Sequence, residues 1–250
     1  FLNESDHFTP DISVLGRQLG TVTFRFYAFN VTGFNSRGFW GSPVNGVDLH
    51  VWGEVLVAPP SLAEWELAGT IDSATPLAVT TTTAEVTAGN LEKSPALGNA
   101  NFASAFVATG WPTNALDLSK YLSFTTTANA GFEIDYDRLE FSLYNSNSGT
   151  AEWQVRSSVD GFSSILDSGK VFSIVVDGED VSAHVEAVGT HEGSVEFRVY
   201  LFKNTGSSNP DRRGFRGTPQ GGIDLNVFGA VNEVTPSDTA TPARITQLLQ

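Results

Sequence analysis

Cysteine and methionine are both absent from this 250-residue chain. Without cysteine, neither a disulfide framework nor a thiolate metal site can form. No apolar run approaches the roughly 18–20 residues that a membrane-spanning helix needs, so we expect no membrane span in this chain. The chain begins at Phe1 without a start methionine, so we expect a processed product or an excerpt of a longer protein.

Positive charge is also scarce. Lysine and arginine total 14 against 28 aspartates and glutamates, which gives a formal net charge of −14. This balance argues against nucleic acid and anionic membranes as partners, because both repel an acidic surface. Threonine, serine, glycine, asparagine and phenylalanine are plentiful instead. That profile is typical of an all-β secreted domain with many turns, so we expect an extracellular or cell-surface location.

One stretch of the chain occurs twice. Residues 24–33 and 197–206 share 6 of 10 positions, and residues 37–55 and 213–231 share 11 of 19, so 17 of 29 positions are identical. The connection between the two blocks is three residues longer in the second copy, since 213 − 37 = 176 and 197 − 24 = 173. Variation in the loop rather than in the strands is expected of a repeated β unit.

Each copy is interpreted as two strands joined by a glycine-rich loop. In the first copy, period-2 alternation places Phe24 and Phe26 on one face of the first strand. The same alternation places Leu49 and Val51 together on one face of the second strand. We expect these four side chains to face the core of a sandwich.

Charged residues occupy the opposite faces of these strands. If the two strands of a copy pair, Arg25 can contact Asp48 in the first copy, and Arg198 can contact Asp224 in the second. We interpret both pairs as cross-strand ion pairs that fix strand register. The alternative is that they form a polar binding face.

The pattern of strands predicts an all-β fold, a jelly-roll-like antiparallel β-sandwich in tandem repeat with the first copy incomplete. Residues 1–57 are interpreted as the C-terminal part of a first sandwich. Residues 58–61 are a short linker, because two consecutive prolines stop a strand. Residues 62–234 form a complete sandwich, and residues 235–250 form a tail. No segment shows a sustained helical period.

Acidic turns are the candidate metal site. Carboxylates are the hard oxygen ligands that Ca²⁺ prefers, so a structural Ca²⁺ is the one cofactor that the sequence suggests. The candidate ligands lie at two Asp-Gly turns: Asp160, Asp177, Glu179 and Asp180. Their spacing matches no EF-hand loop, and the alternative is that these turns are simply solvated.

Two tryptophans are candidate ligand-binding residues. Trp111 lies between a glycine and a proline, and Trp40 lies in a glycine-rich loop, so either could present a flat platform to a sugar ring. The alternative is that both cap the sandwich core. The second copy has Arg216 in place of Trp40, so the two copies do not share a platform.

Several blocks of this chain resemble a known family. They are residues 121–125, 139–143 and 153–162, together with the repeated segments around 197–200 and 223–225. These blocks resemble the β-sandwich repeats of bacterial secreted and surface proteins of the PEP-CTERM type. The resemblance implies a jelly-roll-like sandwich on an exported protein of the cell surface or matrix, without known catalysis.

Enzyme signatures are missing from the sequence. There is no nucleophile elbow, P-loop or dinucleotide fingerprint, and the histidines lack metal-ligand spacing. We therefore predict a non-catalytic structural or adhesive protein that assembles with itself through its repeats into a homopolymer or head-to-tail array. The alternative is a carbohydrate-binding module of a larger secreted protein, with a polysaccharide as its partner.

Overall fold

The computed structural model describes residues 59–146, 149–171, 178–203, 212–217 and 224–234. The chain divides into two units, Phe1–Val57 and Ala58–Gln250, and every described residue belongs to the second. The expectations for the first copy of the repeat therefore lie outside the described residues. Among those that are described, no helix has the length and apolar character to cross a membrane.

Short antiparallel strands make up most of the described chain. Ser61, assigned to the linker by the sequence, already begins the first strand. Two short 3₁₀ helices, Ser158–Asp160 and Glu186–Val188, interrupt the strands. The strands are β1 Ser61–Trp65, β2 Thr70–Asp72, β3 Thr81–Thr82, β4 Val86–Ala88, β5 Glu92–Lys93, β6 Gly98–Asn99, β7 Asn101–Ala103, β8 Ala105–Thr109, β9 Leu122–Ala128, β10 Phe132–Asn145, β11 Ala151–Ser157, β12 Asp167–Val171, β13 Glu179–His184, β14 Thr190–Glu192, β15 Ser194–Phe202, β16 Arg213–Arg216 and β17 Leu225–Glu233.

Strand β10 is the centre of the larger sheet. Its first half pairs with β17 on one edge and β14 on the other, and its second half pairs with β16 and β13. The order along the sheet is β3-β1-β17-β10-β16-β8-β6, with β13 and β14 on the other edge of β10. The register between β10 and β17 shifts at Asp137, where an extra residue forms a bulge.

The second large sheet has the order β12-β11-β15-β9-β4, and β5 also pairs with β9. Strands β9 and β11 alternate strictly between buried and half-buried residues, whereas β15 alternates only as far as Val199 and its last residues are all buried. The buried side chains join those of the larger sheet in one apolar cluster, so the two sheets pack face to face. This arrangement confirms the predicted all-β antiparallel sandwich.

Aromatic rings connect the two sheets through the core. Phe124 and Phe197, from adjacent strands of the smaller sheet, lie with their centroids 5.7 Å apart. From the larger sheet, Trp65 contacts Phe124 at 5.0 Å and Tyr136 contacts Phe197 at 5.3 Å. Burying each ring contributes about 1.5–3 kcal/mol, so this cluster is a major source of the cohesion between the sheets.

The two strands of the repeated stretch lie in different sheets. Residues 197–202 belong to β15 in the smaller sheet, and residues 225–231 belong to β17 in the larger one. The expectation that they pair directly is therefore wrong. The predicted inward faces are correct in the second copy, because the matching positions are completely buried: Phe197, Val199, Leu225 and Val227.

A hydrogen bond within the core generates the first testable prediction. The hydroxyl groups of Thr126 on β9 and Tyr136 on β10 lie 2.8 Å apart, and both side chains are buried. Thr126→Val keeps the shape of the side chain but leaves the Tyr136 hydroxyl unpaired. We expect the free energy of unfolding to fall by about 1–3 kcal/mol.

The matched control is the double variant Thr126→Val with Tyr136→Phe, which removes both hydroxyl groups. We expect it to be closer in stability to the parent than the sum of the single variants, because no buried group is left unpaired. Urea unfolding of all four proteins measures this coupling. If the stability changes of the two single variants simply add in the double variant, the hydrogen bond does not link the sheets.

The same tyrosine predicts a loss of stability in alkali. Burial raises the pKa of Tyr136 from 10.0 to about 12, although the hydrogen bond with Thr126 acts in the opposite direction. The folded protein therefore holds this proton more tightly than the unfolded chain. The resulting stability is complete below about pH 10 and is lost as the pH rises towards 12, at no more than about 1.4 kcal/mol per pH unit. The free energy of unfolding, measured across this pH range, should fall less steeply with pH for Tyr136→Phe than for the parent protein.

Candidate functional site

The outer face of the smaller sheet carries an unusual concentration of arginine and tyrosine. The inward positions of β15 are apolar, so alternation places Arg198 and Tyr200 on the outer face. Gln154 and Arg156 of the neighbouring strand β11 share that face. We call these four residues the arginine face.

Arg198 lies between two aromatic rings. Its guanidinium is 4.1 Å from the ring centroid of Tyr121 and 3.7 Å from that of Phe162. Its Nε donates a hydrogen bond to Glu196 Oε1 at 2.8 Å. Burial acts to lower the pKa of Arg198, but the hydrogen bond and the charge of Glu196 outweigh it and raise the pKa. Arg198 therefore holds the two loops that supply the rings against the sheet.

Arg156 stands directly opposite Arg198 in the strand ladder. Like charges at directly opposed positions destabilise an antiparallel pair. Arg156 donates through Nη1 to the carbonyl oxygens of Phe162 and Ser163, at 2.9 and 2.8 Å. Its Nη2 donates to Gln154 Oε1 at 3.0 Å. None of the carboxylates in the described part of the chain forms an ion pair with Arg156.

Two buried polar atoms of the arginine face have no hydrogen-bond partner. They are the hydroxyl oxygen of Tyr200 and Nε of Arg156. Tyr200 is 1% exposed even though it points away from the core, and the Tyr121 ring meets it edge-on at 5.9 Å. Burial raises the pKa of Tyr200, and the nearby guanidinium of Arg198 acts to lower it, although no hydrogen bond of regular geometry joins the two side chains. Since unpaired buried polar groups are rare, this pair of atoms needs a physical explanation.

The repeated stretch keeps the residues of this face. The three outward residues of β15 have identical counterparts in the first copy of the sequence, whereas two of three inward residues differ. The outward matches are Arg198 with Arg25, Tyr200 with Tyr27 and Phe202 with Phe29; the inward differences are Val199 against Phe26 and Leu201 against Ala28. The internal repeat therefore preserves the outer face of this strand more closely than its core face.

The loops around the arginine face also carry exposed apolar side chains. Among the described residues, the large apolar side chains that are clearly exposed are Leu118, Val159 and Ile165, at 52%, 44% and 49%. Leu118 lies three residues from Tyr121, and the other two flank Phe162 by three residues on either side. All three thus belong to the loops that meet over Arg198.

The loop that contains Phe162 is fixed by Asp160. This carboxylate accepts hydrogen bonds from the backbone amides of Ser163 and Ser164, at 3.2 and 2.8 Å, and from the Ser163 hydroxyl at 2.9 Å. The bonds from Ser164 and Ser163 lower the pKa of Asp160 to about 2. The side chain is therefore used to shape the turn.

The calcium ligands predicted from the sequence do not form a cluster in the described residues. Asp180 of β13 accepts a hydrogen bond from the Ser142 hydroxyl on β10. Glu179 precedes it on the same strand, and Asp177 lies outside the described residues. No group of three acidic or histidine side chains in the described ranges could hold a metal ion. A structural Ca²⁺ remains a prediction without geometric support.

Trp111 does not form an exposed platform, so that interpretation is wrong for this residue. Its side chain is 3% exposed, and its indole nitrogen donates to the carbonyl oxygens of Ala108 and Arg213, at 3.1 and 3.2 Å. The side chain belongs to the apolar core, as in the alternative that the sequence left open, and the indole also fastens the chain after β8 to β16. Trp40 lies outside the described residues.

The predicted ion pair of Arg198 with Asp224 is also wrong. Arg198 is in the smaller sheet and pairs with Glu196, whereas Asp224 precedes β17 in the larger sheet and accepts a hydrogen bond from the amide of Leu67 at 2.9 Å. Sequence reasoning assumed that the two strands were neighbours. The matching pair, Arg25 and Asp48, lies outside the described residues.

Arg156, Gln154 and Phe162 were missed as candidate site residues. Alternation around the buried Trp153 and Val155 could have placed Arg156 on the outer face. No sequence signal, however, indicates that β11 and β15 are neighbours, because 36 residues separate Ser157 from Ser194 when the ends are excluded, 194 − 157 − 1 = 36. The juxtaposition of the two arginines is a property of the sheet order.

Comparison with known proteins gives no assignment for this chain. No protein-family model matches it, and no curated protein matches it. Its function must therefore be argued from the arrangement of its own residues.

The Asp160 turn predicts a local response to acid. Because the folded-state pKa is lowered to about 2, the carboxylate stabilises the turn above its ordinary pKa of 3.8, and this contribution is lost as the pH falls towards 2. We expect the amides of Ser163 and Ser164 to lose protection from hydrogen exchange over that range. Asp160→Ala should lose the same protection at neutral pH, measured by NMR against unfolded-chain rates.

The matched control for this experiment is Asp117→Ala. Asp117 makes the same kind of bonds with Ser119 in the loop beside Tyr121, at 3.0 Å to the amide and 2.7 Å to the hydroxyl. Its replacement should lower the protection of the Ser119 amide from hydrogen exchange and leave the amides of Ser163 and Ser164 protected. Equal loss in both loops would contradict a local role for Asp160.

Proposed function

We propose that this chain is a non-catalytic structural or adhesive component of a cell surface or extracellular matrix, which assembles with copies of itself through β-sandwich repeats. The observation that carries the proposal is the division of the repeated stretch between two sheets. In the second copy, β15 is flanked by β11 and β9, and β17 is flanked by β1 and β10. The repeated stretch thus contributes one central strand to each sheet.

The first copy of the stretch has the same apolar positions. By the repeat, Phe24 and Leu49 correspond to Phe197 and Leu225, which are completely buried. Strands with one apolar face need flanking strands and a covering sheet. We propose that a neighbouring subunit supplies the flanking strands and the covering sheet. Such a contact is heterologous and generates an open-ended array.

The composition supports an extracellular setting. The chain has a net charge of −14, no cysteine and an excess of threonine, serine and glycine. Buried polar residues of the described part fasten neighbouring strands to each other, as Arg213 of β16 does by donating from Nε to Asn145 Oδ1 of β10 at 2.8 Å.

Sedimentation of the full chain over a wide concentration range tests this proposal. We expect association that increases with concentration. Leu49→Asp should abolish the association, because it places a charge at a position whose counterpart is fully buried. The thermal transition of the second sandwich should be unchanged.

The control is His50→Asp, one residue further along the same stretch. Its counterpart Asn226 points to the outer face and is only partly buried, so this substitution should not alter association. A compact monomer at all concentrations, with residues 1–57 protected from proteolysis, would contradict self-assembly. So would equal effects of the two substitutions.

A further inference from the structure

We propose that the arginine face binds a carboxylated sugar, such as a uronic acid unit of an acidic polysaccharide. The inference rests on the proposed adhesive function and names the partner that the surface would hold. Four observations on the outer face of the smaller sheet support it, and they are independent of the two tryptophans.

The first observation is a local shortage of negative charge. Arg156 and Arg198 stand directly opposite each other, but only Arg198 has a carboxylate partner among the described residues. A planar guanidinium matches a carboxylate through two parallel hydrogen bonds. A ligand carboxylate near Arg156 would therefore relieve the repulsion between the two cations.

The second observation is the shortage of hydrogen bonds at the same place. The Tyr200 hydroxyl and Arg156 Nε are both buried without a partner. Gln154 stands directly opposite Tyr200 in the ladder and already accepts from Arg156. A ligand hydroxyl bonded to Tyr200 would supply the bond that the free protein lacks.

The third observation concerns the two loops that the arginines hold in place. Arg156 and Arg198 hold two loops in place, through the carbonyl oxygens of Phe162 and Ser163 and through the rings of Tyr121 and Phe162. The same loops carry the exposed apolar side chains Leu118, Val159 and Ile165. Apolar side chains in the loops around a few polar groups suit a sugar, which has C–H faces as well as hydroxyl groups.

The fourth observation distinguishes this face from an ordinary structural one. The repeated stretch retains Arg25 and Tyr27 at the positions of Arg198 and Tyr200, while two of its three inward positions change. A neutral hydroxyl and an amide next to the guanidinium match the hydroxyl groups that a uronic acid carries beside its carboxylate. We therefore favour an acidic polysaccharide over an acidic protein surface.

Binding of polygalacturonate to the full chain, measured by isothermal titration calorimetry, tests the inference. We expect binding that weakens with salt and that is absent with dextran and with fully methyl-esterified polygalacturonate, which keeps the sugar but loses the charge. Polyglutamate is the control for carboxylates without sugar. Binding of polyglutamate with equal affinity, or of none of these polymers, would overturn the proposal.

Three variants locate the site. Arg156→Gln and Arg156→Lys should each weaken binding by roughly tenfold, the second because lysine keeps the charge but lacks the planar pair of donors. Tyr200→Phe should weaken binding while the thermal transition is unchanged or raised, because the hydroxyl has no partner in the free protein. A purely structural role of Tyr200 would leave affinity unaltered.

The charge-matched control is Lys170→Gln. Lys170 is exposed on β12, opposite Glu152. Its replacement by glutamine therefore removes one positive charge from the same sheet. Equal weakening by Lys170→Gln and Arg156→Gln would indicate nonspecific attraction and overturn the site. Sedimentation of Arg156→Gln separates this inference from self-assembly, because association through residues 1–57 should persist when the sugar site is lost.

Discussion

The packing of two sheets against a shared aromatic core is the constraint on which the rest of the structure depends. Trp65 and Tyr136 of the larger sheet contact Phe124 and Phe197 of the smaller one. Because these rings must point inward, alternation forces the intervening residues outward. The position of Arg198 on the outer surface follows directly from the burial of Phe197 and Val199.

The outer surfaces show how an acidic chain uses its few arginines. Arg138 lies over the ring of Phe228 at 4.1 Å and pairs with two carboxylates, while Arg198 lies between two rings. In both places an aromatic ring and a carboxylate together hold the guanidinium, which limits its motion and fixes neighbouring segments. Arg156 differs because its partners are carbonyl and amide oxygens. That difference makes its surroundings the candidate site of recognition.

The repeated stretch connects cohesion with assembly. In the second copy its two strands occupy different sheets, so that copy contributes to both layers of the sandwich. A unit that spans both layers cannot bury its apolar faces alone, since its strands do not cover each other. This geometry is the physical basis of the exchange of strands between copies that we propose.

Local pattern in the sequence determined the all-β class, the strand faces and the burial of positions such as Phe197 and Leu225, because alternation depends only on neighbouring residues. Charge and composition determined what kinds of partner are disfavoured. Tertiary structure alone decided that β15 and β17 lie in different sheets, that Arg198 pairs with Glu196 rather than Asp224, and that Trp111 is buried. These features depend on which distant strands become neighbours. That choice is made by the packing of the whole core, which no short stretch of sequence encodes.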